Sequence, residues 1–315
     1  MNNRLIGKLT LVLKIRMTVL WAATTGLLIL NACATTQLHS VPLVSSVDPT
    51  HAVSASAVTG ESDLKVMTLN IAHSRSDGFH QIFQSADTAE KNLDAIMAVL
   101  LAQDPDVVAL QEADGPSFWS GGFDHVEYLA KFDSLSNYVR GEHVGGPNLS
   151  YGTALISDLA LREPLSVVFS PGLSPLTKGF LVSTIAWPGM PFIEIDVVSV
   201  HLDPFSSAVR SKQALELVRV LQQRNRPVIL MGDFNTDWQG EQSALRLITA
   251  ELSLKAYQPD NPELQTFPPL GKRLDWILVS GQFEFVSYAV LPDVVSDHQG
   301  VVAQLALSES IKKTF

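Results

Sequence analysis

One cysteine, Cys33, occurs in the 315 residues, so no disulfide can form within the chain and its interior depends on packing and hydrogen bonds alone. Positive charge is also scarce: 22 Lys and Arg stand against 32 Asp and Glu, a net charge of −10. Four of those cations, Arg4, Lys8, Lys14 and Arg16, lie in the first 32 residues, which hold no acid; the remainder carries 18 basic against 32 acidic residues, net −14. No basic run or aromatic–basic stripe follows, and tight nonspecific binding to nucleic acid relies on Lys and Arg neutralising several phosphates. The chain shows no internal repeat, and no low-complexity tract interrupts residues 64–315.

Long apolar runs are lacking as well. Residues 17–30 form a mostly apolar run of fourteen, short for a membrane span and suited to the core of a secretory signal, with the four cations ahead of it. The run ends in Leu-Asn-Ala-Cys (30–33), which resembles the bacterial lipoprotein cleavage box. That resemblance implies lipidation at Cys33, an exported protein anchored in the membrane, and, with Ala34 next, an outer-membrane position. Residues 34–63 are rich in Ala, Ser, Thr and Val with breakers at Pro42, Pro49 and Gly60, and read as a flexible tether with a reach of roughly 30 Å. The expected organisation is thus a signal over 1–32, lipidated Cys33 and linker over 33–63, and one catalytic domain over 64–315.

Within that domain, oily strands repeatedly end on polar groups. The stretch 226–235, Arg-Pro-Val-Ile-Leu-Met-Gly-Asp-Phe-Asn, delivers Asp233 and Asn235, two residues apart and so on one face of an extended segment. Strand patterns over 65–71, 106–112 and 195–203 reach Asn70, Glu112 and His201; 273–280 carries Asp275, and 294–300 carries Asp297 and His298. Helical periodicity is clearest over 86–102, where Ile96, Val99 and Leu100 share a face, and over 207–223, through Leu215, Val218 and Leu221 or Gln222.

These polar groups suit phosphoester hydrolysis. A cation must neutralise phosphate oxygens, and a carboxylate with an amide carbonyl suits Mg²⁺ or Mn²⁺, so Glu112 and Asn70 are the expected ligands with Asp297 as an outer or alternative one. Asp233 fits the base that takes a proton from water. Asn235, His201 and His298 are the available donors to the charge that builds on phosphate oxygens, and Asp275 is the carboxylate partner for His298.

The six motifs in this order resemble the endonuclease/exonuclease/phosphatase superfamily over about residues 64–307. The resemblance implies an α/β fold, a two-sheet β-sandwich flanked by helices in four layers (α/β/β/α), with the site at one edge and divalent-metal-dependent hydrolysis of phosphoesters. It implies a metal role for Glu112 with Asn70 beside it, a base-stabilising or phosphate-binding imidazole at His298, and a phosphate-contacting or acid role at His201. Tyr151 is read either as a phosphate contact or as an aromatic packed at the sheet rim. Arg75, Lys178 and Arg210 are candidate contacts to the substrate phosphate, with solvated surface charges as the favoured reading, and His73, His80, His125 and His143 are read as surface or structural histidines.

The favoured function is a membrane-tethered phosphohydrolase of phospholipid-type or small phosphoesters, with no protein partner evident. An exported deoxyribonuclease-like endonuclease is the alternative, and a non-catalytic surface-binding protein on the same fold is third. No hydrophobic hairpin of the kind used for membrane entry lies between the motifs.

Overall fold

Strict alternation in the strands decides which side chains face one another. In β3 (Leu64–Asn70), β4 (Val107–Asp114), β9 (Met190–His201), β10 (Val228–Asp233) and β12 (Asp275–Ser280), every second residue points between two sheets. Leu64, Val66, Ala109, Val197, Ile229, Met231 and Ile277 meet there in one fully buried core. Their neighbours in sequence point outward beneath helices, so both faces of these strands are apolar and the fold needs helices to cover them.

The computed structural model describes residues 37–39, 44–45, 63–76, 84–131, 135–172, 176–240 and 243–309. The expected signal, Cys33 and His80 lie outside these residues. Among the described residues no helix is long and apolar enough to cross a membrane.

The four remaining full strands of the sandwich are β5 (Asn137–Gly146), β6 (Leu149–Ser157), β8 (Gly179–Trp187) and β14 (Val301–Leu307), with β7 (Arg162–Val168), β11 (Leu254–Ala256) and β13 (Phe283–Val290) towards the edges. Two short strands, β1 (Gln37–His39) and β2 (Val44–Ser45), come from the stretch expected to be tether. They pair antiparallel with β7 and β5, so part of that stretch closes the open edge of each sheet. The order is β13-β14-β3-β4-β6-β5-β2 in the first sheet and β1-β7-β8-β9-β10-β12-β11 in the second.

Helix α1 (Ala86–Gln103) starts where the Ser85 side chain accepts from Thr88 N and stops at a left-handed Asp104. Its buried Leu93, Ile96, Met97 and Leu100 cover Met67, Leu69, Val108 and Leu110 of the first sheet, joined by short α2 (His125–Leu129). Helix α3 (Ser207–Arg224), capped by Ser206 and ended by left-handed Asn225, covers the second sheet with α4 (Ala244–Leu252). Its buried stripe is Ala214, Leu217, Val218 and Leu221, at the spacing of one helix face, whereas Leu215 is half exposed on its flank. The layers are therefore α/β/β/α, as expected.

Each sheet holds one parallel pair joined by a crossover helix: β3–α1–β4 in one and β9–α3–β10 in the other. Parallel strands with a crossover gather functional groups at their carboxyl ends, and here the two sets of carboxyl ends meet at the same end of the sandwich. Along the second sheet Gln37, Val168, Gly179, His201, Asp233 and Asp275 are successive partners in one row.

Candidate active site

Moving toward this end, the inner residues turn from apolar to polar. Thr68, Gln111 and Ser199 are fully buried, and Gln111 Nε2 donates to Ser199 Oγ at 3.0 Å while Ser199 Oγ donates to Leu110 O at 2.8 Å. These bonds tie the sheets together just below the site. One inward step beyond lie Asn70, His201 and Asp233, and Asp275 stands beside Asp233 on the antiparallel strand.

Asp233 is the hub. Asn70 Nδ2, from the other sheet, donates to Oδ2 at 3.1 Å, and the Asn235 backbone N donates to Oδ1 at 2.8 Å. Asn235 does not continue the strand: its φ of 50° turns the chain, and its side-chain Nδ2 donates to Leu202 O at 3.0 Å and to Asp233 Oδ2 at 3.3 Å. The same-face reading of Asp233 and Asn235 is thus corrected, because Asn235 reaches the site through a turn and spends its amide N–H groups on holding Asp233. Gly232, just before Asp233, lets β10 lie close against β9, since its φ is 146° and a Cβ there would sit 2.0 Å from Val200 O. Burial, helped by Asp275, pushes the Asp233 carboxyl up to about 7, against the opposing pull of His298 and the hydrogen bonds from Asn235 and Asn70. Those donors and the nearby imidazole favour the carboxylate.

Two histidines flank Asp233 in different states. His298 Nδ1 donates to Asp275 Oδ2 at 2.8 Å, and its Nε2 lies 3.8 Å from Asp233 Oδ2. Burial alone would lower His298, but Asp275 and Asp233 outweigh it and raise it to about 10, so it is an imidazolium at neutral pH. His201 is driven well below the ordinary histidine value by burial and by Lys178. A lysine ammonium only donates, so the Lys178 Nζ contact at 3.3 Å makes His201 Nδ1 the acceptor and leaves the proton on Nε2, 3.4 Å from Asp233 Oδ2.

Glu112 arrives by an irregularity. Alternation in β4 would aim it at the helices, but the pairing with β6 slips between Gln111 and Ala113, and Glu112 has a φ of 51°. The resulting bulge turns the carboxylate into the cavity, and the strand runs on to Asp114 rather than stopping at Glu112. Burial would raise the Glu112 carboxyl, yet His73, Lys178, His201 and His298 overcome this and hold it well below the usual range. Asp297 is raised by burial and by Glu112 despite the pull of His298.

Asn70, Glu112, His201, Asp233, Asn235, Asp297 and His298 line one cavity of about 370 Å³; Asp275 is fully buried behind His298 and accepts from Thr266 Oγ1 at 2.7 Å. Tyr151 does not line it: the side chain is packed under His73, its ring edge-on at 5.0 Å, which is the rim-packing reading. Lys178 is no solvated charge, because it is buried with Nζ 3.5 Å from Glu112 Oε1. His73 is likewise at the site, 3.2 Å from Glu112 through Nε2. Arg75 lines the cavity too, whereas Arg210 donates to Asp203 O at 2.9 Å. His125 has a partner in Ser120 O at 2.9 Å, as a structural histidine should. Lys178 stands directly before β8 and His73 three residues past Asn70, so position next to strand ends was the available signal.

Asp233, Asp275 and His298 also present ligand atoms within 4.8 Å of one another. The Asp275 Oδ2–His298 Nδ1 bond commits two of these groups to each other. The oxygen donors Glu112, Asn70 and Asp297 are the set whose chemistry fits a hard divalent cation.

Comparison with known proteins agrees with this geometry. Residues 67–298 match the model of the Endonuclease/Exonuclease/phosphatase family. An endonuclease/exonuclease/phosphatase from Beutenbergia cavernae is similar at 25% identity and TM-score 0.60, over 78% of this chain and 72% of that one. The catalytic domain of human Nocturnin, solved with a sulfate anion, is similar at 20% identity and TM-score 0.62, over 80% and 97%. A mannosyl-6-phosphatase of Bacteroides thetaiotaomicron is similar at 16% identity and TM-score 0.60, over 78% and 100%. The buried hub at Asp233, the two imidazoles beside it and the matched span together make this chain a phosphoester hydrolase that belongs to the endonuclease/exonuclease/phosphatase family.

Proposed function

We propose that the protein is a divalent-cation-dependent hydrolase of phospholipid-type or small phosphoesters, held at the cell envelope through Cys33. The observation that carries the reaction is Asp233, a carboxylate fixed by donors from both sheets between a charged and a neutral imidazole. It is placed to accept the proton of a water that attacks phosphorus in line. His298, kept cationic and oriented by Asp275, donates to the phosphate oxygens that gain charge. His201, neutral and carrying its proton on Nε2, offers a second donor on the other side of Asp233. Lys178 adds a fixed positive charge.

Glu112, Asn70 and Asp297 would hold Mg²⁺ or Mn²⁺, which supplies neutralisation of the phosphate oxygens when bound. A cavity of about 370 Å³ suits a headgroup or a small ester. The scarcity of cations in the chain argues in the same direction, since a polyanion gains little from a net charge of −14 left by 18 basic and 32 acidic residues beyond position 32.

The test assays the full-length chain with Mg²⁺ or Mn²⁺, and with chelator, on phospholipid vesicles that include sphingomyelin, on small phosphate mono- and diesters, and on plasmid DNA. Cleavage of lipid or small esters is expected, with Asp233→Ala lowering it by about 10² to 10⁴-fold. Asp233-dependent nicking of plasmid alone would replace this substrate reading with the endonuclease. Turnover that ignores the chelator would overturn the cation.

A further inference from the structure

We propose that Asp114 and His73 form a second carboxylate–imidazole pair, one that positions Glu112 as a cation ligand; this rests on the reading that Glu112 holds the divalent ion. Asp114 is fully buried and accepts from Trp119 Nε1 at 2.7 Å and from His73 Nδ1 at 2.6 Å. A carboxylate facing Nδ1 fixes the ring, so Nε2 must look the other way, and it meets Glu112 Oε2 at 3.2 Å. The ring cannot swing aside. Trp119 and Tyr151 stand edge-on to it with centroids 5.3 and 5.0 Å away.

The two oxygens of Glu112 are thus addressed separately, Oε2 by His73 and Oε1 by Lys178. Lysine reaches Oε1 at 3.5 Å on a long flexible stem, whereas His73 is held by a buried partner and two aromatic walls. His73 stands in a left-handed turn with Ala72 and Ser74, at φ of 46°, 55° and 59° for residues 72, 73 and 74, which carries its ring back over β4 toward Glu112. Groups behind a ligand commonly set its orientation, and losing them costs about 10- to 100-fold in metal affinity.

The experiment titrates Mn²⁺ into the full-length protein without substrate, comparing wild type with His73→Ala, His73→Gln and Asp114→Asn, and then measures kcat at saturating Mn²⁺. His73→Ala and Asp114→Asn should raise the Mn²⁺ Kd about 10- to 100-fold. His73→Gln, which keeps a donor, should recover part of that loss. At saturating Mn²⁺ the kcat of His73→Ala should return to near wild type, because the residue acts through Glu112. If His73→Ala lacks a cooperative unfolding transition, Trp119→Phe takes its place and should raise Kd about 3- to 10-fold by removing one donor to Asp114. An unchanged Kd in these variants, with wild type binding Mn²⁺, overturns the positioning role alone. No Mn²⁺ binding by wild type overturns it together with the cation reading beneath it.

Discussion

The two crossover units that build the site share a plan and differ in execution. In β9–α3–β10 the strands stay in register to their last residues, and His201, Asp233 and the neighbouring Asp275 lie side by side on one row. In β3–α1–β4 the second strand bulges at Glu112 and the turn after the first holds His73 with a left-handed backbone. The groups proposed to handle protons therefore sit on a regular hydrogen-bonded ladder, which fixes their spacing through many shared bonds. The proposed cation ligand sits on a local irregularity, where one side chain can be re-aimed without moving a strand.

Disturbing the regular unit should cost fold and chemistry together. Asp275→Asn removes the partner of a buried imidazolium and should lower stability by about 3–5 kcal/mol at pH 7. His298 is raised above its ordinary value to about 10, so this stabilisation is complete below the ordinary value of 6.5 and is lost as pH rises through about 10. Urea unfolding should show the gap between variant and wild type shrinking near pH 10; a constant gap would separate His298 from Asp275.

A smaller effect is expected from Gly232→Ala. The added Cβ meets Val200 O at 2.0 Å on a backbone at φ 146°, and a stability loss of about 1–3 kcal/mol should accompany reduced turnover. Unchanged thermal unfolding would mean that β10 can shift against β9 freely, which would remove the contrast between the two units.

Lys178→Met tests the seam between them. It should raise KM about 10- to 100-fold, as for loss of a hydrogen bond to a charged group, with little change in folding stability. A fall in stability with KM preserved would make Lys178 a strut between Glu112 and His201 and not a phosphate contact.

The same contrast explains what the sequence revealed. Alternation showed the polar ends of β3, β9 and β10, because Asn70, His201 and Asp233 lie on the same parity as the apolar residues before them. It located Glu112 in sequence but aimed it at the wrong face, since the bulge that turns it depends on pairing with β6. Sequence patterning gives His73 only a surface or structural role and passes over Asp114, because one lies in the turn after β3 and the other closes β4, and they become partners only when the two strands lie side by side. Lys178 looked like a surface charge, and its burial follows from the placement of Glu112 and His201 around it. In α3, the periodic set read from sequence shares Val218 and Leu221 with the buried stripe, while Leu215 is exposed and the stripe is completed by Ala214 and Leu217 against the second sheet.

The pairing of β1 with β7 also extends the folded unit toward the N-terminus. Gln37 opens β1 on the row that continues through Gly179 and His201 to Asp233, so the chain joins the domain on the rim that bears the cavity. A chain cut at residue 64 would therefore leave β7 and β5 without the strands that pair with them, and two bare sheet edges open to other chains.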